Sequence, residues 1–117
     1  MGQMTTHVLD TAQGRPAAGM AIQLWRVDGN QASLLNEAIT SDDGRVDSPL
    51  LEGEAFTVGA YQLVFAVADY FADQTVSVAD PPFLDVVTIR FSVANAGDHY
   101  HVPLLVSPWA YSTYRGS

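Results

Sequence analysis

His99-Tyr100-His101-Val102-Pro103-Leu104-Leu105-Val106 alternates in the manner of an extended strand. A period of two puts His99 and His101 on one face and Tyr100, Val102, Leu104 and Val106 on the other. The second face is apolar and belongs in a core. The first carries two imidazoles side by side. Pro103 has no N–H to give a central ladder, so it marks an edge or a bulge. A further strand is expected from about Trp109, running into Tyr114-Arg115-Gly116-Ser117. Chain ends are usually loose and polar, so a tail this rich in aromatics is expected to dock on the body of the protein.

The rest of the chain reads as more strands and turns. Thr5, His7 and Leu9 alternate with Thr6, Val8 and Asp10, a short strand with His7 on one face. Gly14, Pro16 and Gly19 make residues 12–19 a loop. Residues 20–27 form a strand with Ile22 and Leu24 inward and Gln23 outward. Asp28-Gly29-Asn30 is a hairpin turn, and residues 34–40 the next strand. Ser41-Asp42-Asp43-Gly44 is another turn, setting Arg45 directly after a tight bend; residues 49–53 are irregular. Residues 60–68 are the clearest strand, with Tyr61, Leu63, Phe65 and Val67 on one face. At Asp69-Tyr70-Phe71 the period of two is lost, and about two turns of helix are expected near residues 69–76, with Asp69 as N-cap. Asp80-Pro81-Pro82 ends it. Residues 84–93 are a strand with Val87, Ile89, Phe91 and Val93 inward, and Asn95-Ala96-Gly97-Asp98 turns into the histidine strand. The expected fold is all-β: an antiparallel β-sandwich of seven to eight short strands and one short helix.

A chain of 117 residues suffices for one core, so residues 1–117 are expected to form a single domain, Met1 to Gln3 being a possible addition ahead of a start at Met4. The net charge of −8 sets 13 acidic residues against five basic ones, all arginine. Such a surface argues against nucleic acid and anionic membranes as partners, while leaving room for an anionic small molecule where arginines gather. Without cysteine there is no disulfide framework and no thiol chemistry. No secretory leader pattern or membrane-length apolar run is evident, so the expected compartment is the cytoplasm.

No Gly-x-Ser-x-Gly, phosphate loop or metalloprotease helix occurs. The three histidines lie at the two ends of the sequence, and first and last strands of a sandwich can be neighbours. Paired strand histidines are more often surface groups than catalytic ones. A His-x-His pair plus a remote third histidine is also ligand-like, so zinc at His7, His99 and His101 is possible without being required. An arginine after a turn, such as Arg45, is ordinarily just exposed.

More specific information comes from the strings themselves. Thr6-His7-Val8-Leu9-Asp10, residues 14–19 (Gly-Arg-Pro-Ala-Ala-Gly), Asp43-Gly44-Arg45, Pro49-Leu50-Leu51, Tyr70-Phe71, Ile89-Arg90-Phe91 and the C-terminal run from His99 to Ser117 together resemble the transthyretin-related 5-hydroxyisourate hydrolases of urate breakdown. The resemblance spans nearly the whole chain. It implies a transthyretin-like sandwich and a hydrolase that opens the six-membered ring of 5-hydroxyisourate at an amide, without a cofactor. By the same resemblance His7, Arg45 and His101 are catalytic, and His99, Tyr114, Arg115, Gly116 and Ser117 bind substrate. It further implies a homotetramer, two dimers back to back, with active sites between the dimers. Which of His7 and His101 is base and which acid stays open. Two other readings share the fold: a small-ligand carrier of transthyretin type, which lacks the Tyr-Arg-Gly-Ser tail, and a structural or adhesive β-sandwich module.

Overall fold

The chain's computed structural model describes residues 1–116. Eleven strands and one α-helix follow in order: β1 (Gln3–Thr5), β2 (Val8–Asp10), β3 (Arg15–Pro16), β4 (Ala21–Asp28), β5 (Gln31–Ile39), β6 (Leu51–Glu52), β7 (Gly59–Phe65), α1 (Val67–Ala72), β8 (Val87–Val93), β9 (His99–His101), β10 (Leu104–Val106) and β11 (Tyr111–Thr113), with a single 3₁₀ turn (Gly53–Ala55) between β6 and β7. The sandwich expected from the strand spacing is present, with two of its longer runs cut in two.

One layer is the sheet β5-β4-β7-β8, antiparallel throughout. Ile22, Leu24, Tyr61, Leu63, Phe65, Val87 and Val93 are its buried face. The other layer comprises β6-β1-β9 and β11-β10-β2-β3. Here the structure corrects the purely antiparallel expectation, because β1 pairs with β9, and β2 with β10, in parallel. Thr5 faces His101 and Val8 faces Leu104, so one register runs through both pairs and sets Pro103 level with His7. Pro103 has no N–H to donate at that rung, which is where the ladder breaks. Backbone bonds from Val102 N to Thr5 O and from Leu104 N to His7 O, each 2.9 Å, carry the chains across the gap. Met4, Val8, Tyr100, Val102, Leu104 and Val106 from this layer close the core.

Several boundaries move for local reasons. The helix spans Val67–Ala72 and not 69–76; its buried residues Val67, Tyr70 and Phe71 lie at i, i+3 and i+4, one stripe on the core. Val67 therefore belongs to the helix, and β7 stops at Phe65. The N-cap is Ala66, without a side-chain cap, and Asp69 sits within the first turn. The β-branched Thr75 and Val76 fall beyond its end, in line with their low helix preference. Strand β8 begins at Val87, later than residue 84. Trp109 lies in a turn that Ser107 holds, its Oγ accepting from Trp109 N and Ala110 N, so the last strand starts at Tyr111.

The polar groups that are buried are partnered. Asp10, fully buried, accepts from Tyr70 Oη at 2.8 Å, Gln13 N at 2.9 Å and Gln13 Nε2 at 2.7 Å, tying β2 to the helix. Tyr100, inside the core, accepts from Ala94 N through its hydroxyl at 3.0 Å. An unpaired group at either place would cost about 1–3 kcal/mol.

Candidate active site

The alternation read from the first strand holds: Met4, Thr6, Val8 and Asp10 are buried, while Thr5 and His7 emerge on the opposite face. Parallel pairing with β9 sets that face beside His99 and His101. Two chain ends thus deliver three imidazoles to one place. His7 Nδ1 and His101 Nε2 share a hydrogen bond of 2.7 Å, with their rings stacked at a centroid distance of 4.8 Å. Thr5 Oγ1 lies 2.7 Å from His101 Nδ1 and 2.6 Å from His99 Nε2. His101 is 8% exposed, His7 half-buried and His99 open to solvent.

Arg45 reaches the same place through its turn. Its backbone bridges to His7, and Val8 N donates to Gly44 O at 2.8 Å. Gly44 has φ +76°, and a Cβ there would stand 2.4 Å from Val8 O. Only glycine takes this conformation and this close approach without strain. Asp43 Oδ1 accepts from Arg45 N at 3.0 Å and lies 2.9 Å from Ser41 Oγ, bonds that hold the Asp43 carboxyl below the usual carboxylate range. The exposed Arg45 side chain lines the cleft.

The tail closes the other side. Gly116 N donates to His101 O at 2.7 Å, and a Cβ on Gly116 would meet His101 Cδ2 at 2.9 Å. The Arg115 guanidinium stacks 3.9 Å over the Tyr100 ring and approaches Asp98 Oδ2 at 3.6 Å. Tyr114 is 57% exposed at the rim. The resulting cleft, about 530 Å³, is lined by Thr5, Thr6, His7, Arg45, Val46, His99, His101, Tyr114, Arg115 and Gly116.

Burial first, and then the Arg45 guanidinium, hold the His7 pKa below its ordinary value. His101 is lowered by burial, then by His7, Arg45 and His99. Both rings are therefore biased to the neutral form, which offers one acceptor and one donor nitrogen each. Beside them stands a fixed cation. The set suits taking a proton from water and stabilising charge on a carbonyl oxygen.

Every site residue expected from the sequence lines this cleft except Ser117, which lies outside the described residues. Thr5, Thr6 and Val46 also line it and were not among the expected site residues. Thr5 was legible in principle, two residues before His7 on the same strand face; Val46 left no signal. Among the described residues no group of three or more His, Cys, Asp or Glu is placed to hold a metal ion. His101 directs its two ring nitrogens at Thr5 and His7, an arrangement of hydrogen bonds in place of shared ligation.

A model of the HIUase/Transthyretin family matches residues 4–116. The chain belongs to that family. Within it, a 5-hydroxyisourate hydrolase from Ralstonia nicotianae is 59% identical over 117 residues, covering all of both chains. The structure of the Klebsiella pneumoniae 5-hydroxyisourate hydrolase superposes with a TM-score of 0.82 at 30% identity, again over all of both chains. Sea bream transthyretin superposes with a TM-score of 0.86 over 97% of this chain and 94% of its own, at 23% identity. That last likeness shows the fold alone.

Proposed function

We infer that this chain is a hydrolase of 5-hydroxyisourate, opening the six-membered ring at its amide to give 2-oxo-4-hydroxy-4-carboxy-5-ureidoimidazoline in urate breakdown. The observation that carries this reading is the 59% identity, end to end, with the Ralstonia nicotianae hydrolase. The carrier reading rests on a fold shared at 23% identity, and no observation favours the adhesive module.

The roles assigned to individual residues are our proposal. His7 takes a proton from the attacking water as general base. Arg45 donates to the substrate carbonyl and stabilises the oxyanion that forms there. His101 orients His7 through their shared hydrogen bond and helps return the proton to the leaving nitrogen. His99, Tyr114, Arg115, Gly116 and Ser117 bind and orient the substrate. What supports these roles is the 2.7 Å contact between the two imidazoles, their bias to the neutral form, and a guanidinium on the same cleft. General base catalysis needs a neutral imidazole, and a fixed cation is worth most where water is displaced.

The same reading makes the protein a homotetramer whose dimers meet across the clefts, acting in the cytoplasm. An open polar face with three histidines suits an interface that substrate must reach. No helix among the described residues is long and apolar enough to cross a membrane.

The test is a stopped ultraviolet assay. Urate is oxidised enzymatically to fresh 5-hydroxyisourate, and its decay is followed with and without the protein. Strong acceleration is expected, together with loss in His7→Asn and in a chain ending at Thr113. Decay no faster than the uncatalysed rate, with the protein folded, would overturn the reading and leave the carrier in its place.

A further inference from the structure

We propose that Thr5 is a positioning and relay residue whose hydroxyl joins His99 to the His101–His7 pair, making one hydrogen-bonded line from the solvent-exposed edge of the cleft, at His99, to His7 within it. The proposal rests on the hydrolase reading above. Its basis is geometric. Three contacts run in series: His99 Nε2 to Thr5 Oγ1 at 2.6 Å, Thr5 Oγ1 to His101 Nδ1 at 2.7 Å, and His101 Nε2 to His7 Nδ1 at 2.7 Å. His99 at one end is exposed. His7 at the other is half-buried in the cleft that both line, and its Nε2 has no hydrogen-bond partner among the described residues.

A hydroxyl has a single hydrogen and a neutral imidazole one N–H, so the tautomers along the line are coupled. In one polarity His99 Nε2–H donates to Thr5, Thr5 to His101 Nδ1, and His101 Nε2–H to His7 Nδ1. His7 then carries its hydrogen on Nε2 and is an acid toward the cleft. In the reverse polarity His7 Nδ1–H donates to His101 Nε2, His101 Nδ1–H to Thr5, and Thr5 to His99 Nε2. His7 Nε2 is then bare and is a base.

The reaction uses both. When His7 Nε2 takes a proton from water, its Nδ1 proton passes to His101 Nε2, the His101 Nδ1 proton to Thr5, and the Thr5 proton to His99 Nε2. His99 Nδ1 releases a proton to solvent. Protonation of the leaving nitrogen runs the line backward, drawing one proton from solvent at His99 Nδ1. No net proton is consumed, and no imidazolium has to persist beside the Arg45 guanidinium, which opposes it. A threonine in place of a longer polar residue suits the role, since its short side chain is stiff at χ1.

The experiment compares Thr5→Val, which keeps the shape and removes the hydroxyl, with Thr5→Ser, which restores it. Expected for Thr5→Val is a kcat loss of about tenfold or more, a part of the range for acid–base groups, with KM little changed. The proton inventory in mixed H2O and D2O should go from bowed to linear, and Thr5→Ser should return both toward wild type. A Thr5→Val enzyme with wild-type kcat and a bowed inventory overturns the proposal, as does a Thr5→Ser enzyme no better than Thr5→Val. A second readout needs no turnover. Imidazole 15N spectra of the free protein should show the His99 and His101 tautomers moving together in the wild type and independently in Thr5→Val. Unlinked tautomers in the wild type overturn the relay even if the enzyme is active. Linked tautomers in a protein that does not accelerate 5-hydroxyisourate decay would overturn the hydrolase reading and keep the line.

Discussion

His7 Nδ1 and His101 Nε2 share a 2.7 Å hydrogen bond although 94 residues separate them. The contact is a product of topology. Parallel pairing of the first strand with the ninth brings the two rungs together, and Pro103 interrupts the ladder at the level of His7. On its other side His7 is bridged by Arg45. The imidazole pair and the Arg45 guanidinium thereby line one cleft.

If the two imidazoles act as a unit, their losses will not add. His7→Asn and His101→Asn should each lower kcat by about 10²–10⁴-fold. The double variant should fall little further than the worse single one, the pattern of groups that share one step. Multiplied losses, measured at saturating substrate in the ultraviolet assay, would show that the rings work separately.

The charge state of His7 gives a second prediction. Its pKa is lowered by burial and then by Arg45, so the neutral base is lost only as pH falls below the ordinary value of about 6.5. The acidic limb of kcat/KM, which reports the free enzyme, should accordingly lie below that value. For stability the sign is the same. An unfolded chain binds the proton first, so the contribution is complete above the unfolded pKa and is lost as pH falls through the lowered folded one. Arg45→Gln removes the second cause and leaves the first. The His7 C–H resonances, followed by NMR against pH, should titrate higher in Arg45→Gln yet still below the ordinary value. An unchanged titration would remove Arg45 as a cause.

How far these features could be read in advance depended on the range of the interaction. Period-two patterning from Tyr100 to Val106 and from Thr5 to Asp10 is local, so the core face of the first run and the alternation of the second held, because side chains alternate across any strand. The helix was displaced by two residues because Val67 continues the alternation of β7, and only contact with the core shows it serving the helical stripe with Tyr70 and Phe71. Parallel pairing of the chain ends joins residues nearly a hundred apart and leaves no local trace. The cleft residues were named by likeness to a family, whereas Thr5 needs the β1–β9 register before its two imidazole neighbours are visible. Buried Asp10 was legible only as part of a matching string; its three donors come from a loop and the helix.

Gly44 tests the turn that carries Arg45. At φ +76°, with Val8 O 2.4 Å from where a Cβ would stand, alanine meets both strain and a clash with backbone. Gly44→Ala should destabilise the fold by about 1–3 kcal/mol. It should also lower kcat/KM, because Arg45 is the next residue. Ser41→Ala, which leaves the glycine in place, should cost much less on both counts. Equal activity in Gly44→Ala and wild type would mean that Arg45 reaches its position without this turn.

Asp10 and Tyr70 form the last test, one of stability apart from the cleft. Burial, then the hydrogen bond to Asp10 and its charge, push the Tyr70 pKa up from 10.0 to about 12. A tyrosine raised in the folded state contributes stability that is fully present below the unfolded pKa and is lost as pH rises through the folded one. The window is pH 10 to about 12. Tyr70→Phe removes one bond to a carboxylate, worth about 1.5–3 kcal/mol, and Asp10→Ala strands the Tyr70 hydroxyl and the Gln13 donors at a cost at least as large. In urea unfolding both variants should lower the midpoint with the slope unchanged, and kcat should stay near wild type because neither residue lines the cleft. Phenolate absorbance should also lose its latest-titrating component in Tyr70→Phe. If that component persists in the variant, the tyrosine held protonated to about pH 12 is a different one, and the buried tie between β2 and the helix is weaker than its 2.8 Å geometry implies.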